Sequence, residues 1–380
     1  MPTIHRRRVL ALGAAAALYH PLVGHPLEAL PLCAATAASN YEHAIQILSE
    51  ATQSGRVRAA AIYARTQAGV LSQAFGTASS IDAAFLLGSI SKPISVTALM
   101  TLYDQRKFGL DDPVRQYIPE FEGSTRSRMT IRHLLTHVSG LPDQLPNNAE
   151  LRSDHAPLSA FIQGAIRVPV GFEPGTRYEY SSMAILLAAE IAQRLADRDI
   201  RELVSERVLK PLGMQHSALG MGTLGQADIM PAQVEFGATE SGGGSVESKS
   251  WDWNSSFWRE LGAPWGGAHA SASDIAIFLD AFLKPEGKIL QPETAALMIR
   301  NHNPDELESR GLGFDVGLQN YCASCSDKTF GHTGSTGTIA WADRENDRLC
   351  VVLTTLPARA LDAAQHPRQL ASDAIASDSQ

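Results

Sequence analysis

The sequence predicts an α/β protein, α+β in strict terms, with a sheet built from both ends of the chain and a helical insertion between them. Strand-like apolar segments occur near residues 59–75 and again beyond residue 313, while the segments between them have helical periodicity. The 380 residues are 44% hydrophobic and 19% charged, which is typical of a globular chain long enough for two subdomains.

Each predicted element has a local signal in the sequence. Amphipathic spacing predicts an N-terminal helix over 41–53. Thr130 is the expected N-cap of a short helix that begins directly after it. Another helix is expected to start at a cap formed by Ser273 and to run to Leu283. The other predicted helices follow Ser89 or cover 182–197, 199–210 and 367–376. The predicted strands cover 59–64, 70–75, 313–318, 329–332, 338–342 and 349–355.

Residues 1–37 have the features of an export signal. Arg6, Arg7 and Arg8 precede a short apolar stretch rich in alanine, and this arrangement fits the twin-arginine pattern. Residues 35–37, Ala-Thr-Ala, are a candidate cleavage site. We therefore expect a periplasmic or secreted protein exported by a twin-arginine or Sec signal, with an uncleaved leader as the alternative. No later run of about 20 apolar residues predicts a transmembrane segment in the mature chain.

Charge and cysteine content limit the expected partners. The formal net charge of −8 argues against nucleic acid and anionic membranes as partners. In an exported protein Cys322 and Cys325 could close a small disulfide, whereas a zinc site would need further ligands that the sequence does not offer. Cys350 lies in an apolar run and is expected to be a buried strand thiol. We expect neither a metal nor an organic cofactor.

The most informative motif is Ser89-Ile90-Ser91-Lys92, which lies between two apolar segments. In a helix that starts here, Lys92 is one turn beyond Ser89 and can reach its hydroxyl. A partly desolvated lysine has a lowered pKa and can accept the proton of a serine nucleophile. Such a short pattern also arises by chance on surfaces, but an unused lysine would be costly among so many apolar residues.

Four stretches, taken in order, resemble motifs of the serine β-lactamase and penicillin-binding-protein superfamily, in its class C-like branch with family VIII-type esterases. They are residues 85–92 around Ser89 and Lys92, 134–142, 174–182 around Tyr180, and 331–337. The resemblance covers roughly 41–376 and implies a β-lactamase/transpeptidase-like catalytic domain, with a mainly antiparallel sheet flanked by helices on both faces and an all-helical subdomain. We expect the α/β part over about 41–90 and 271–376, and the helical part with a lid loop over about 91–270.

The same resemblance implies roles for single residues. Ser89 would be the acylated nucleophile, and Lys92 would share the base role with Tyr180, whose phenol could act as phenolate if cationic neighbours lower its pKa. The backbone N–H groups of Ser89 and Ser335 would form the oxyanion hole. The other substrate-binding residues implied are Ser182, His332, Thr333 and Gly334.

Two positions depart from the family pattern. Ser182 replaces the usual asparagine of the tyrosine motif, and a serine is shorter and lacks the amide. His332 stands where a lysine is usual, and histidine is mostly neutral near pH 7. Both changes weaken recognition of β-lactams and of peptides with free carboxylates, so ester or lactone hydrolysis is favoured.

A cluster of four tryptophans has two possible interpretations. Trp251, Trp253, Trp258 and Trp265 either form an apolar core under a long loop or line the cleft as a wall for an apolar group. His133 and His137 are expected to be structural.

The sequence therefore predicts an exported, monomeric serine hydrolase that acts on small esters, lactones or related amides through a Ser89 acyl-enzyme. The alternatives are a β-lactamase, a DD-peptidase, and a penicillin-binding sensor that is acylated without turnover.

Overall fold

The computed structural model describes residues 32–317 and 324–377. Its helices are α1 (Leu32–Gln53), α2 (Ser91–Asp104), α3 (Ile131–Leu135), α4 (Asn148–Ser153), α5 (Leu158–Arg167), α6 (Ser182–Ala196), α7 (Ile200–Val204), α8 (Lys210–Leu212), α9 (Ser256–Leu261), α10 (Ala272–Leu283), α11 (Pro292–Met298) and α12 (Pro367–Ala376). Its strands are β1 (Ala59–Thr66), β2 (Gly69–Gly76), β3 (Ala84–Leu86), β4 (Ser217–Leu219), β5 (Ile229–Met230), β6 (Ala268–Ala270), β7 (Asp315–Val316), β8 (Thr329–Gly334), β9 (Thr338–Asp343) and β10 (Arg348–Thr354).

Six strands form an antiparallel sheet in the order β2-β1-β10-β9-β8-β7. The two ends of the chain meet where β1 pairs with β10, with Ala60 opposite Thr354 and Arg65 opposite Leu349. β10 is buried along its whole length, which explains why its sequence is a continuous apolar run rather than an alternating one. The predicted fold class and the origin of the sheet from both termini are confirmed.

Helices cover both faces of this sheet. Successive residues of β10 point to opposite layers, so Val351 belongs to the core under α10 and Val352 to the core under α1 and α12. On the face covered by α1 and α12, Trp341 of β9 donates its indole N–H to the hydroxyl of Ser372 in α12 at 2.8 Å. This donation satisfies a polar group that would otherwise be buried without a partner.

The central helix α2 carries the serine–lysine motif into the core. Its residues from Ser91 to Leu102 are all buried, and it packs against α6 and α7. A helix that is buried on all sides must be surrounded by other elements, which is why helices gather around it. The buried core is continuous from these helices to the inner face of the sheet.

Two local details correct the sequence predictions. A second sheet, in the order β4-β6-β3-β5, was not predicted because its strands have only two or three residues and show no periodicity. The N-cap of α10 is Ser271, whose hydroxyl accepts the N–H of Asp274, and Ser273 is the second residue of the helix. In contrast, Thr130 caps α3 as predicted, and His133 completes a capping box with it.

The four tryptophans between residues 251 and 265 are at most 9% exposed, so the reading as a buried core is the correct one. Cys350 is buried in β10, as predicted. Cys322, one of the two cysteines of the predicted disulfide, lies outside the described residues. In the described parts of the chain, no helix is long and apolar enough to cross a membrane.

Candidate active site

Ser89 lies in a short 3-10 turn, Gly88–Ile90, that joins β3 to the start of α2. Gly88 has a φ of +57°, and a Cβ atom there would lie 3.1 Å from the amide nitrogen of Ser335. A glycine is therefore needed for this turn to approach the end of β8. Ser89 is partly exposed while its neighbours Gly88 and Ile90 are buried, so the turn presents the serine hydroxyl to the surface.

The turn after β8 is fastened to the segment before Ser89. Thr336 and Thr338 donate their hydroxyls to the carbonyl oxygens of Leu86 and Leu87, each at 2.7 Å. These bonds bring the backbone of Ser335 next to that of Ser89, as an oxyanion hole would require. Thr333 is partly exposed, Gly334 is buried and Ser335 is exposed.

Lys92 is the buried amine next to the nucleophile. Its side-chain nitrogen lies 2.9 Å from the hydroxyl oxygen of Ser89 and donates to the carbonyl oxygen of Trp265 at 2.9 Å. Only 1% of Lys92 is exposed, and this burial lowers its pKa to about 7, with Arg310 adding to the effect. The predicted contact between Ser89 and Lys92 is thus present, and the lowered pKa makes the neutral amine accessible near pH 7.

Tyr180 packs over this pair. Its ring centroid is 4.7 Å from the Lys92 nitrogen, and its hydroxyl hydrogen-bonds to Ser89. Burial raises the pKa of Tyr180, and the opposing effect of Arg310 is smaller. The phenolate considered from the sequence is therefore not favoured, and the phenol keeps its proton.

His332 is fixed on both ring nitrogens. Nδ1 lies 2.7 Å from the carbonyl oxygen of Thr333, and Nε2 lies 2.7 Å from Nη2 of Arg310. Because an arginine can only donate, Nε2 accepts and Nδ1 carries the proton. Burial, together with Arg310 and Lys92, holds the pKa of His332 well below its ordinary value, so the imidazole is neutral. The guanidinium of Arg310 is itself paired with the buried carboxylate of Asp315.

The hydrogen bonds of Ser182 differ from the substrate-binding role that the family pattern gives to an asparagine at this position. Ser182 is 2% exposed, and its backbone N–H and hydroxyl both donate to Oδ1 of Asp143, at 2.9 and 2.6 Å. The hydroxyl therefore holds a carboxylate in place. A direct contact between Ser182 and a substrate stays a prediction that this geometry does not favour.

Several site residues were missed from the sequence. Arg310 and Asp143 belong to no motif, although Asp143 directly follows the block at 134–142. His137 was expected to be structural, and its Nδ1 does accept the N–H of Ser181 at 3.1 Å, but its ring also lies 4.5 Å from that of Tyr180. Among the described residues, no group of three or more His, Cys, Asp or Glu side chains is placed to hold a metal ion.

The chain is similar to known proteins in sequence. The sequence model of the family described as Beta-lactamase matches residues 44–375. A protein of Escherichia coli (strain K12), provisionally named a D-alanyl-D-alanine carboxypeptidase, is 25% identical over 292 residues, which are 68% of this chain and 66% of that protein, just under two thirds of its length.

Solved structures show the same fold. EstCE1, a hydrolase with promiscuous acyltransferase activity, aligns with a TM-score of 0.72 at 21% identity, over 90% of this chain and 99% of that one. The octameric penicillin-binding protein homologue from Pyrococcus abyssi aligns with a TM-score of 0.69 at 20% identity, over 88% of this chain and 76% of that one.

Proposed function

The chain belongs to the beta-lactamase family of serine hydrolases, and we propose that it hydrolyses small esters, lactones or related amides through an acyl-enzyme on Ser89. One observation carries this proposal. The amine of Lys92, with a pKa of about 7, lies 2.9 Å from the hydroxyl of a partly exposed serine. A base poised near the working pH and in contact with its nucleophile is the arrangement that acyl transfer needs.

The first half of the reaction uses Lys92 as the base. The neutral amine accepts the Ser89 proton while Oγ forms a bond to the carbonyl carbon of the substrate. The oxygen of the tetrahedral intermediate gains negative charge and accepts hydrogen bonds from the amides of Ser89 and Ser335. Collapse of the intermediate breaks the bond to the leaving group and leaves the acyl-enzyme.

Tyr180 completes the proton transfers. As a protonated phenol next to Ser89, it donates its proton to the departing oxygen or nitrogen and recovers one from the ammonium of Lys92. In the second half the neutral amine of Lys92 takes a proton from a water molecule as its oxygen attacks the ester carbonyl. The bond between the acyl carbon and Oγ then breaks, and Oγ takes that proton back, which frees the acid and restores Ser89. Lys92 and Tyr180 thus both accept and donate protons during the reaction.

The substrate preference follows from the third motif. A neutral His332 whose two nitrogens are both engaged offers no charge to a substrate carboxylate. This favours esters and lactones over β-lactams. The name of the E. coli relative supports a second candidate, cleavage of peptides that end in D-alanyl-D-alanine. Such peptides carry the free carboxylate that this site does not attract.

We also propose that the protein is exported and works as a monomer. The basic and apolar pattern of residues 1–37 supports export, since it has the order of a signal peptide.

Turnover of p-nitrophenyl butyrate and nitrocefin by the purified protein tests the reaction type. We expect continuous release of p-nitrophenol, little nitrocefin cleavage, and a transient butyryl adduct on the peptide containing Ser89 in mass spectra. Efficient nitrocefin cleavage would instead identify a β-lactamase. A single burst with a lasting adduct would identify a sensor.

The pH dependence of kcat/KM tests the role of Lys92. The active form is the neutral amine, and protonation removes it, so activity is lost as pH falls through the lysine pKa of about 7. We expect kcat/KM for p-nitrophenyl butyrate to rise about tenfold per pH unit below pH 7 and to level above it. A profile that is flat between pH 5 and 8 would contradict the assignment.

A further inference from the structure

Tyr180 lies in a stretch without regular secondary structure, two residues before α6 begins. A side chain in such a stretch depends on other parts of the fold to keep its position. The proposed reaction needs the phenol to stay beside Ser89, so the contacts that hold Tyr180 bear directly on proton transfer.

His137 holds the backbone on both sides of Tyr180. Its carbonyl oxygen accepts the N–H of Glu179 at 2.9 Å, and its Nδ1 accepts the N–H of Ser181 at 3.1 Å. These two residues flank the tyrosine directly. The imidazole also packs on the phenol, with ring centroids 4.5 Å apart and ring planes tilted by 38°. His137 is fully buried, so the protein shields these contacts from solvent.

The backbone of His137 has a conformation that usually belongs to glycine. His137 follows Thr136, the C-cap of α3, and has a φ of +61°. At this position after a helix a Cβ atom is sterically unfavourable, and glycine is the common residue. The imidazole is therefore present at a conformational cost, and backbone strain of this kind clusters at functional sites.

His137 does not itself carry the transferred proton. Because Nδ1 accepts from Ser181, Nε2 holds the ring proton, and Nε2 has no hydrogen-bond partner among the described residues. Burial, together with Arg310 and Lys92, holds the pKa of His137 well below its ordinary value, so the ring is neutral. A neutral imidazole without a bond to the phenol does not relay its proton, and its contribution is therefore geometric.

We propose that His137 is a positioning residue, which keeps the phenol of Tyr180 where it can give its proton to the leaving group. This inference rests on the proposed hydrolase function. Without the imidazole, the phenol loses the ring that it packs against and can move away from the leaving group, and small displacements of a reacting group are costly. The loss should fall on substrates whose leaving group must be protonated as it departs.

Ethyl butyrate and p-nitrophenyl butyrate test this inference, because they share the acyl group and differ in the leaving group. p-Nitrophenolate is stable enough to leave unprotonated, whereas ethoxide is a strong base and needs a proton. The first variant is His137→Asn, which tolerates a positive φ and keeps an acceptor for Ser181. The second is His137→Gly, which removes the side chain and suits this backbone best.

His133→Asn is the matched control for these changes. His133 lies in α3, and its Nδ1 also accepts a backbone N–H, that of Thr130 at 3.2 Å. The same substitution there removes an imidazole and leaves the ring contact with Tyr180 intact. Thermal unfolding is followed on all samples.

The decisive quantity is the ratio of kcat/KM for ethyl butyrate to that for p-nitrophenyl butyrate. A smaller amount of folded protein affects both esters equally and cancels in this ratio. We expect both His137 variants to lower the ratio by about 10- to 100-fold, part of the 10²- to 10⁴-fold that a general acid typically contributes, and His133→Asn to leave it unchanged.

Tyr180→Phe shows whether His137 acts through the phenol. This variant lacks the phenol proton and should lower the ratio at least as much as His137→Asn. In the double variant the ratio should fall no further than in Tyr180→Phe alone, because two residues that serve one proton transfer are not additive.

Each outcome bears on one proposal. If both His137 variants keep the ratio of wild type, the inference is wrong and the proposed hydrolase stands. If His137→Asn lowers the ratio by the same factor with and without Tyr180→Phe, His137 does not act through Tyr180, and the inference is again wrong. If Tyr180→Phe keeps the ratio of wild type, the phenol is not the proton donor, and the role of His137 is refuted while Ser89 remains the nucleophile. If wild type hydrolyses neither ester, the proposed function fails, and this inference fails with it.

Discussion

Replacement of Ser89 by alanine is expected to lower kcat for ester hydrolysis on the order of 10⁴- to 10⁶-fold, because it removes the atom that forms the acyl bond. The fold should tolerate the change, since the side chain is small and partly exposed. The measurement is steady-state hydrolysis of p-nitrophenyl butyrate, with thermal unfolding followed on the same samples. No butyryl adduct should appear in mass spectra of the variant.

Ser95→Ala is the matched control for this change. Ser95 lies in α2, six residues beyond Ser89, and its buried hydroxyl donates to the carbonyl oxygen of Pro264 at 2.9 Å. Its loss should destabilise the protein by about 1–3 kcal/mol, because that carbonyl is left without its donor, while turnover persists. Ser89→Ala that hydrolyses esters at the rate of wild type would refute the nucleophile assignment.

Lys92→Met is expected to lower kcat/KM by about 10²- to 10⁴-fold, the usual contribution of a positioned general base. Methionine has a similar length and fills the same buried space, so a cavity does not account for the loss. The acyl-enzyme should still be detectable with an activated ester, at a slower rate, because Ser89 is intact. Lys107→Met, which changes an exposed lysine, is the control and should keep full activity.

The pH dependence of stability separates the electrostatic role of Lys92 from its packing. The pKa of Lys92 is lowered to about 7 in the folded protein from 10.5, so the unfolded chain binds the extra proton between these values. The free energy of unfolding of wild type should therefore rise relative to Lys92→Met as pH increases from 7 to 10.5, by up to about 1.4 kcal/mol per pH unit. A pH-independent difference in chemical denaturation would show that the folded protein does not lower the pKa of Lys92, and would refute its desolvation.

Local sequence patterns determined most of the fold. The strands of the large sheet and helices such as α12 were predicted within a few residues, because their periodicity, caps and turns are set by neighbouring side chains. The contact between Ser89 and Lys92 was predictable for the same reason, since two residues three apart in a helical segment lie on one face. The short strands of the second sheet carry no such signal.

What only the tertiary structure decided is the electrostatic state of the site. The sequence indicated Tyr180 and His332 as members of the cleft, but whether a phenolate or a charged imidazole stands there depends on burial and on partners distant in the chain. Arg310 reaches His332 across 22 positions, and Asp143 reaches Ser182 across 39. Such contacts are invisible to local patterns, because the energy that moves a proton depends on which groups the fold removes from water and places side by side.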